Sequence, residues 1–267
     1  MYLFVFLCSL IIFISFAFMP VARRAGAPFL LIALIIGMLL GEDGPGRIEF
    51  SNFNFAFDLG SVALAVILFA GGLETDRRVF RSAGAPATSL ATLGVLVTAG
   101  ITGVAAALLL QVPWQVGLLL GAAVASTDAA ATFLLIQQSG IGLRPRLKDT
   151  LLLESGLNDP MAIFLTVTLT SLVATMQTDA PFDLAGMGVL LVMQAGIGIL
   201  GGIFGGRLLA RLLDTLSLPV GTYPVMTLAG ALVIFAGVSL IGGSGFLAAY
   251  LAGISLKAKL KRPIDRI

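Results

Sequence analysis

Charge is what this sequence has least of. Of 267 residues only 11% are Asp, Glu, Lys or Arg, there is no histidine, and a single cysteine, Cys8, lies inside the first apolar run. So little polar surface cannot cover a water-soluble globule of this size. One cysteine excludes an internal disulfide and a thiolate metal cage. Long polar linkers are also lacking, so residues 1–267 read as one membrane domain. What fills the space is apolar: 58% of the residues are hydrophobic and the mean hydropathy is +1.05. A signal peptide ahead of a soluble body does not explain this, because runs of spanning length recur along the whole chain.

Apolar stretches of roughly 20 residues between polar breaks predict spans near 2–20, 27–41, 56–74, 86–111, 114–138, 150–177, 184–212, 222–242 and 244–258. Charge sidedness supports this division. Alternate loops collect Arg23 and Arg24, then Arg77, Arg78 and Arg81, then Arg144, Arg146 and Lys148, then Arg207 and Arg211. A tail adds Lys257, Lys259, Lys261, Arg262 and Arg266, which leaves only Arg47 of the 16 basic residues on the other side. That side holds Glu42, Asp43, Glu49, Asp179 and Asp183 instead. Cytoplasmic loops hold the Lys and Arg residues, so the N-terminus is expected outside and the C-terminus in the cytoplasm. The net charge of +2 therefore hides an asymmetric molecule that faces membrane lipid, not nucleic acid.

Glycine is plentiful, and Gly198, Gly202 and Gly206 recur at four-residue spacing on one helical stripe. Small residues let helix backbones approach closely in lipid, so ordinary helix packing is expected there, with a dimer seam as the alternative. Ser51 to Phe57 alternates polar and aromatic residues before the third span, as an interfacial anchor would.

Ionisable residues at membrane depth are costly and mark functional sites. Four stand there: Glu74, Asp128, Glu154 and Asp159. Glu74 closes the third span beside Arg77 and Arg78. Asp128 interrupts the middle of the fifth span in Ser126-Thr127-Asp128-Ala129, where hydroxyls compete for backbone groups. A broken span presents half-helix ends, whose N–H groups favour a carboxylate and whose carbonyls can coordinate cations. The alternative is a buried Asp held within a continuous helix.

The sixth span carries the densest set, Glu154-Ser-Gly-Leu-Asn-Asp-Pro-Met161. Ser155 and Asp159 are four apart and share a helix face, with Asn158 about one hundred degrees round. Pro160 has no N–H, so the carbonyl of Gly156 loses its helical donor. A carboxylate, a hydroxyl, an amide and a freed carbonyl form a hard-oxygen set suited to an alkali cation or a proton. Loss of solvent favours the neutral form of a carboxylate in general, so one such group can serve both ions in turn. Within the predicted spans Lys and Arg stand only near cytoplasmic ends, at Arg207, Arg211 and Lys257, so none lies at mid-span to pair with Asp128, Glu154 or Asp159, and a partner beyond this chain would answer that deficit.

These residues carry a resemblance. Gly37-Met-Leu-Leu-Gly-Glu-Asp-Gly-Pro-Gly46, Leu68-Phe-Ala-Gly-Gly-Leu73, Ser89-Leu-Ala-Thr-Leu-Gly-Val95, Ser126-Thr-Asp-Ala-Ala-Ala131, Glu154 to Met161 and Gly242-Gly-Ser-Gly-Phe-Leu-Ala-Ala-Tyr-Leu-Ala-Gly253 resemble the monovalent cation:proton antiporter family. They are most similar to its NhaP-type bacterial potassium (or sodium)/proton branch. The resemblance implies an all-α, polytopic, inverted-repeat antiporter fold with a discontinuous fifth span, working as a homodimer in a bacterial plasma membrane without a cofactor. It implies that Asp159 binds the monovalent cation and the proton, and that Ser155 and Thr127 are ligands. Asn158 would hold the unwound region, Asp128 would compensate helix dipoles, and Glu154 would pair with an Arg on a later helix.

An Asn before the Asp goes, in that family, with electroneutral exchange. Many members carry an acidic residue where Ala70 stands, while Glu74 is placed like an acidic ion-site residue of others, which gives it an accessory role. Family members have about thirteen spans in two inverted repeats, so this chain is expected to be the first two thirds of such a transporter, with its second repeat incomplete. The competing readings are an inactive or partial fragment, an intramembrane aspartyl enzyme using Asp128 and Asp159 as a dyad, and a channel, for which no filter motif of the Thr-Val-Gly-Tyr-Gly kind is present.

Overall fold

The computed structural model describes residues 2–25, 29–48, 51–75, 77–127, 132, 136, 142–175, 184–217 and 219–260. The described residues form helices and connecting turns, with no strand among them. The backbone falls into two compact units, one made of Met1–Leu59 with Asp128–Gly142 and the other of Gly60–Thr127 with Leu143–Ile267.

The first unit contains α1 (Tyr2–Ala25) packed on α2 (Phe29–Leu40). The glycine-rich turn after α2 folds back to cap it. Gly46 N–H donates to the Leu39 carbonyl at 2.9 Å and Ile48 N–H to the Leu40 carbonyl at 3.0 Å, which satisfies helix-end carbonyls that lipid could not. A side chain on Gly44 would collide with the Met38 and Leu39 carbonyls, so this turn needs glycine there. The next helix, α3 (Phe53–Glu74), starts where Asn52 Oδ1 accepts from Phe55 N–H at 3.0 Å, a side-chain cap of the first turn. Phe53, Phe55 and Phe57 are exposed around this start, as an interfacial anchor requires.

The second unit takes up α3 from Gly60 onward and adds one long helical stretch. That stretch runs as α4 (Arg77–Ser89), a π-helical turn (Leu90–Gly94) and α5 (Val95–Leu110). Thr92 Oγ1 donates to the Thr88 carbonyl at 2.7 Å inside the π turn. The expected fourth span opened near Pro86, but the helix begins at Arg77, because Pro86 is accommodated within it. Ala83, Ala87 and Ala91, all essentially buried, form a small-residue stripe on which α7 (Pro145–Thr175) packs.

Beyond α5, α6 (Trp114–Ala123) returns against it. Gly103, Gly117 and Gly121 line that contact; a Cβ on Gly117 would lie 2.5 Å from the Gly103 carbonyl oxygen. The remaining helices are α8 (Leu184–Thr215), a short 3-10 turn (Val220–Thr222), α9 (Tyr223–Leu240) and α10 (Gly245–Lys259). Ser244 Oγ caps α10 by accepting from Leu247 N–H.

The stripe of Gly198, Gly202 and Gly206 is covered from within. Side chains there would lie 2.8 Å from the Ser244 carbonyl oxygen, 2.6 Å from that of Ala248 and 2.5 Å from that of Ala252. It is therefore the seam between α8 and α10, and the packing reading holds. Gly202→Leu is expected to force these backbones apart at a cost of about 1–3 kcal/mol, read as a lower thermal midpoint in detergent.

Outward faces are apolar. Val97, Ile101, Val104 and Leu108, spaced along α5, are 59, 68, 57 and 74% exposed, which suits lipid and not water. Five of the described helices are long and apolar enough to cross a membrane: Phe53–Glu74, Ser82–Leu110, Pro145–Ala174, Gly188–Thr215 and Tyr223–Leu240. Shorter apolar helices occupy the first, second and fifth predicted spans. The chain is an all-α polytopic membrane protein.

Candidate functional site

The site forms where α6 stops. Val124, at φ −107° and ψ 6°, leaves the helix after Ala123; Ala125 N–H closes a last turn on the Ala122 carbonyl at 3.2 Å, and residues 125–127 run on outside any helix. This is the interruption expected in the fifth span; Asp128 itself, with residues 129–131, lies outside the described residues. An unwound carbonyl inside a membrane must find donors. The Thr127 carbonyl finds them on α7, accepting from Ser155 Oγ at 3.0 Å and from Asn158 Nδ2 at 3.3 Å.

Asn158 is the fastener. It has no solvent exposure, and its amide nitrogen also donates to Thr127 Oγ1 at 2.6 Å and to Glu154 Oε1 at 2.9 Å. The carboxylate and the carbonyl can only accept, which fixes the nitrogen on that side and turns Oδ1 to the other. There Ser126 Oγ lies within donating distance of Asn158 Oδ1, at 3.3 Å. The Thr127 hydroxyl accepts from Asn158 and donates to Glu154, at 3.2 Å from Oε1 and 3.3 Å from Oε2. Glu154 and Asn158 are one turn apart on α7, so a single helix face grips the broken segment through both.

Asp159 meets the same segment by a different hydroxyl. Ser126 Oγ donates to Asp159 Oδ1, so the carboxylate is held against the break while Ser155, four residues earlier, is held against the Thr127 carbonyl. One carboxylate, two serine hydroxyls and a backbone carbonyl therefore gather at the end of α6. Among the described residues no three His, Cys, Asp or Glu side chains converge. A mixed set of one carboxylate with neutral oxygens suits a hard monovalent cation and not a transition metal. The donors that Glu154 meets here are neutral, the Thr127 hydroxyl and the Asn158 amide.

Five of the candidate residues thus come together, four on α7 and one on the break: Glu154, Ser155, Asn158 and Asp159 with Thr127. Glu74 does not join their hydrogen bonds. It ends α3, exposed, and its carbonyl accepts from Lys257 Nζ of α10 at 2.8 Å. The sequence marks Ser126 only as a helix breaker. Its hydroxyl beside Thr127 in the same break was the available signal for a role in the site. Another face of α7, with Leu157, Pro160 and Met161, lines an apolar cavity of about 390 Å³ together with Thr88 and Thr92 of the π region.

Removing the Ser126 hydroxyl takes away a hydrogen bond to an ionisable group, an interaction of about 1.5–3 kcal/mol. Ser126→Ala is therefore expected to leave the helices intact by circular dichroism while lowering the thermal midpoint in detergent, by the loss of about 1.5–3 kcal/mol.

Known proteins match most of the chain. The family described as sodium/hydrogen exchanger, transmembrane, matches residues 10–265. The K(+)/H(+) antiporter NhaP2 of Shewanella sp. (strain ANA-3) is 46% identical over 254 residues, covering 95% of this chain and 44% of the relative. The K(+)/H(+) antiporter NhaP of Alkalimonas amylolytica is 47% identical over 235 residues, 87% of this chain and 40% of that one. A probable Na(+)/H(+) antiporter 2 of Methanocaldococcus jannaschii is 29% identical over 184 residues, 66% of this chain and 42% of the relative. The chain spans less than half the length of these relatives. With all but a few terminal residues matched, and with a broken helix fastened to an Asn-Asp-Pro helix, this chain belongs to the transmembrane sodium/hydrogen exchanger family.

Proposed function

We propose that this chain exchanges protons for a monovalent cation, K⁺ or Na⁺, across a bacterial plasma membrane, with Asp159 as the seat for which the two ions compete. The observation that carries the reading is the gathering of the Asp159 carboxylate, Ser126 Oγ, Ser155 Oγ and the Thr127 carbonyl at a helix break. The K(+)/H(+) antiporter names of the relatives at about 45% identity support the same reading and favour K⁺. Ser155, the Thr127 carbonyl and the Asp159 carboxylate are the cation's ligands, while Asn158 and Glu154 hold the break open.

A single seat that carries either one proton or one monovalent cation has the same charge in both states, so exchange is electroneutral. Loaded or protonated, the seat can cross between two access states; the empty carboxylate keeps its negative charge, whose burial is costly, and is the disfavoured traveller. The orientation that fits the charge asymmetry places the N-terminus outside and the C-terminus in the cytoplasm. As in other alternating-access carriers, one bundle moves against another, and a homodimer supplies the fixed partner surface.

The test is cation-induced dequenching of a pH-gradient probe in everted vesicles containing this chain or Asp159→Asn. Flux that depends on K⁺ or Na⁺ and disappears in the variant supports exchange. Equal flux in both, or none in either with the protein inserted, overturns the proposal for this chain.

A further inference from the structure

Tyr250 lies in the middle of α10, 1% exposed, and its ring reaches across to α7. There it rests on Gly156, the residue after Ser155 and one turn before Asp159. A Cβ built on Gly156 would lie 2.6 Å from Tyr250 Oη, 2.8 Å from Cε2 and 2.9 Å from Cζ. Real Cβ atoms do not approach so closely, so the ring fills the space that a side chain at 156 would need. Pro160 also leaves the Gly156 carbonyl without its helical donor, so this is the turn of α7 least held by its own backbone.

The ring is itself held from the other side. Gly72 of α3 packs on the Tyr250 carbonyl, and Gly253 of α10 packs on the Phe69 carbonyl of α3, so α3 and α10 meet backbone to backbone. The phenol adds a polar tie. Thr75 Oγ1 donates its one hydrogen to the Gly71 carbonyl at 2.9 Å, so across the 3.3 Å between the two hydroxyls it is Tyr250 that donates. Tyr250 is therefore fixed by α3 through its backbone and its hydroxyl, and it presents a rigid face to α7.

We infer that Tyr250 is a positioning residue for the ion site, setting where Ser155 and Asp159 stand relative to the Thr127 carbonyl. The broken segment is separate from α7, and the 3.0 Å bond from Ser155 Oγ to the Thr127 carbonyl spans the two. Sliding α7 at Gly156 moves both serine and aspartate away from a ligand that does not move with them. Binding constellations tolerate about 0.5 Å of such displacement. The inference rests on the reading of Asp159 as the cation seat, and it adds a residue that touches neither cation nor carboxylate.

The test uses the purified chain in detergent and asks what K⁺ or Na⁺ concentration gives half-maximal protection against thermal unfolding, since a ligand of the folded state raises its stability. The variants are Tyr250→Phe, Tyr250→Leu, Gly156→Ala, the double variant Gly156→Ala with Tyr250→Leu, and Asp159→Asn. Tyr250→Phe keeps the ring and loses only the tie to Thr75, so it folds and binds within about threefold of the parent. Tyr250→Leu and Gly156→Ala each weaken cation binding about tenfold. The double variant is no worse than either single one, because the smaller side chain makes room for the methyl group.

A purely structural role would lower the thermal midpoint of these variants and leave the half-maximal cation concentration unchanged; that result overturns the inference. So does a double variant in which the two losses multiply. If the parent shows no cation protection, or Asp159→Asn is protected like the parent, the reading of Asp159 fails first. Protection lost in Asp159→Asn but unchanged in Tyr250→Leu and Gly156→Ala overturns the role of Tyr250 alone.

Discussion

Asn158→Ala is expected to release the broken segment from α7, lowering stability by about 2–4 kcal/mol and removing cation-dependent exchange. The size follows from what the amide serves. It is completely buried and reaches Thr127 Oγ1, the Thr127 carbonyl and Glu154 Oε1 on one side, while its oxygen faces Ser126 on the other. Alanine leaves a carboxylate oxygen and an unwound carbonyl with fewer donors in a place where water is scarce. Removing one partner of such a network costs more than the net worth of the bond, because the other partner keeps its desolvation penalty. Ser155 Oγ still holds the Thr127 carbonyl, which keeps the loss within a few kcal/mol. The check is a thermal midpoint in detergent together with vesicle flux, with Asn158→Gln as the variant that keeps the amide but moves it by one methylene. Unchanged stability in Asn158→Ala would mean that the hydroxyls of Ser126, Thr127 and Ser155 suffice to hold the break.

Asp159→Asn has the other large effect, and it separates chemistry from scaffold. The amide is nearly the same size as the carboxyl and can still accept from Ser126, so the fold and the Asn158 network are expected to persist. Under the proposed function, what disappears is the charge that would bind a cation and the group that would release a proton. Flux is therefore expected to fall to background, while the thermal midpoint without added cation stays within a few degrees of the parent. A variant that unfolds would place Asp159 in the scaffold instead.

The sequence pattern and the structure agree best where physics leaves least choice. Spans were legible because bilayer thickness sets the length of an apolar run and lipid demands internal hydrogen bonding, so described helical residues occur in each predicted span. The break before Asp128 was legible for a related reason. Ser126 and Thr127 sit in the middle of an apolar stretch, and α6 ends at Ala123 just ahead of them.

The start of α4 was not legible. Arg77, Arg78 and Arg81 read as a loop because of their charge, yet they begin a helix whose buried stripe of Ala83, Ala87 and Ala91 only shows its meaning once α7 is beside it. The π turn at Leu90–Gly94 leaves no period in the sequence. Tyr250 stands inside an apolar motif that gives no sign of its position, because its partners are Thr75, just past α3, and Gly156 on α7, and only the crossing brings them together. Asn158 was legible as a neighbour of Asp159, but its grip on Thr127 depends on where the fifth span breaks and on which face of α7 meets it.

The central claim is that one carboxylate, Asp159, holds either a proton or a cation. The most direct measurement is the proton release on adding K⁺ or Na⁺ to the purified chain in a lightly buffered detergent solution, taken beside cation binding in the same sample. The account predicts that each cation bound displaces about one proton, and that Asp159→Asn shows neither binding nor release. Cation binding without proton release in the parent, or the same release in Asp159→Asn, would contradict it.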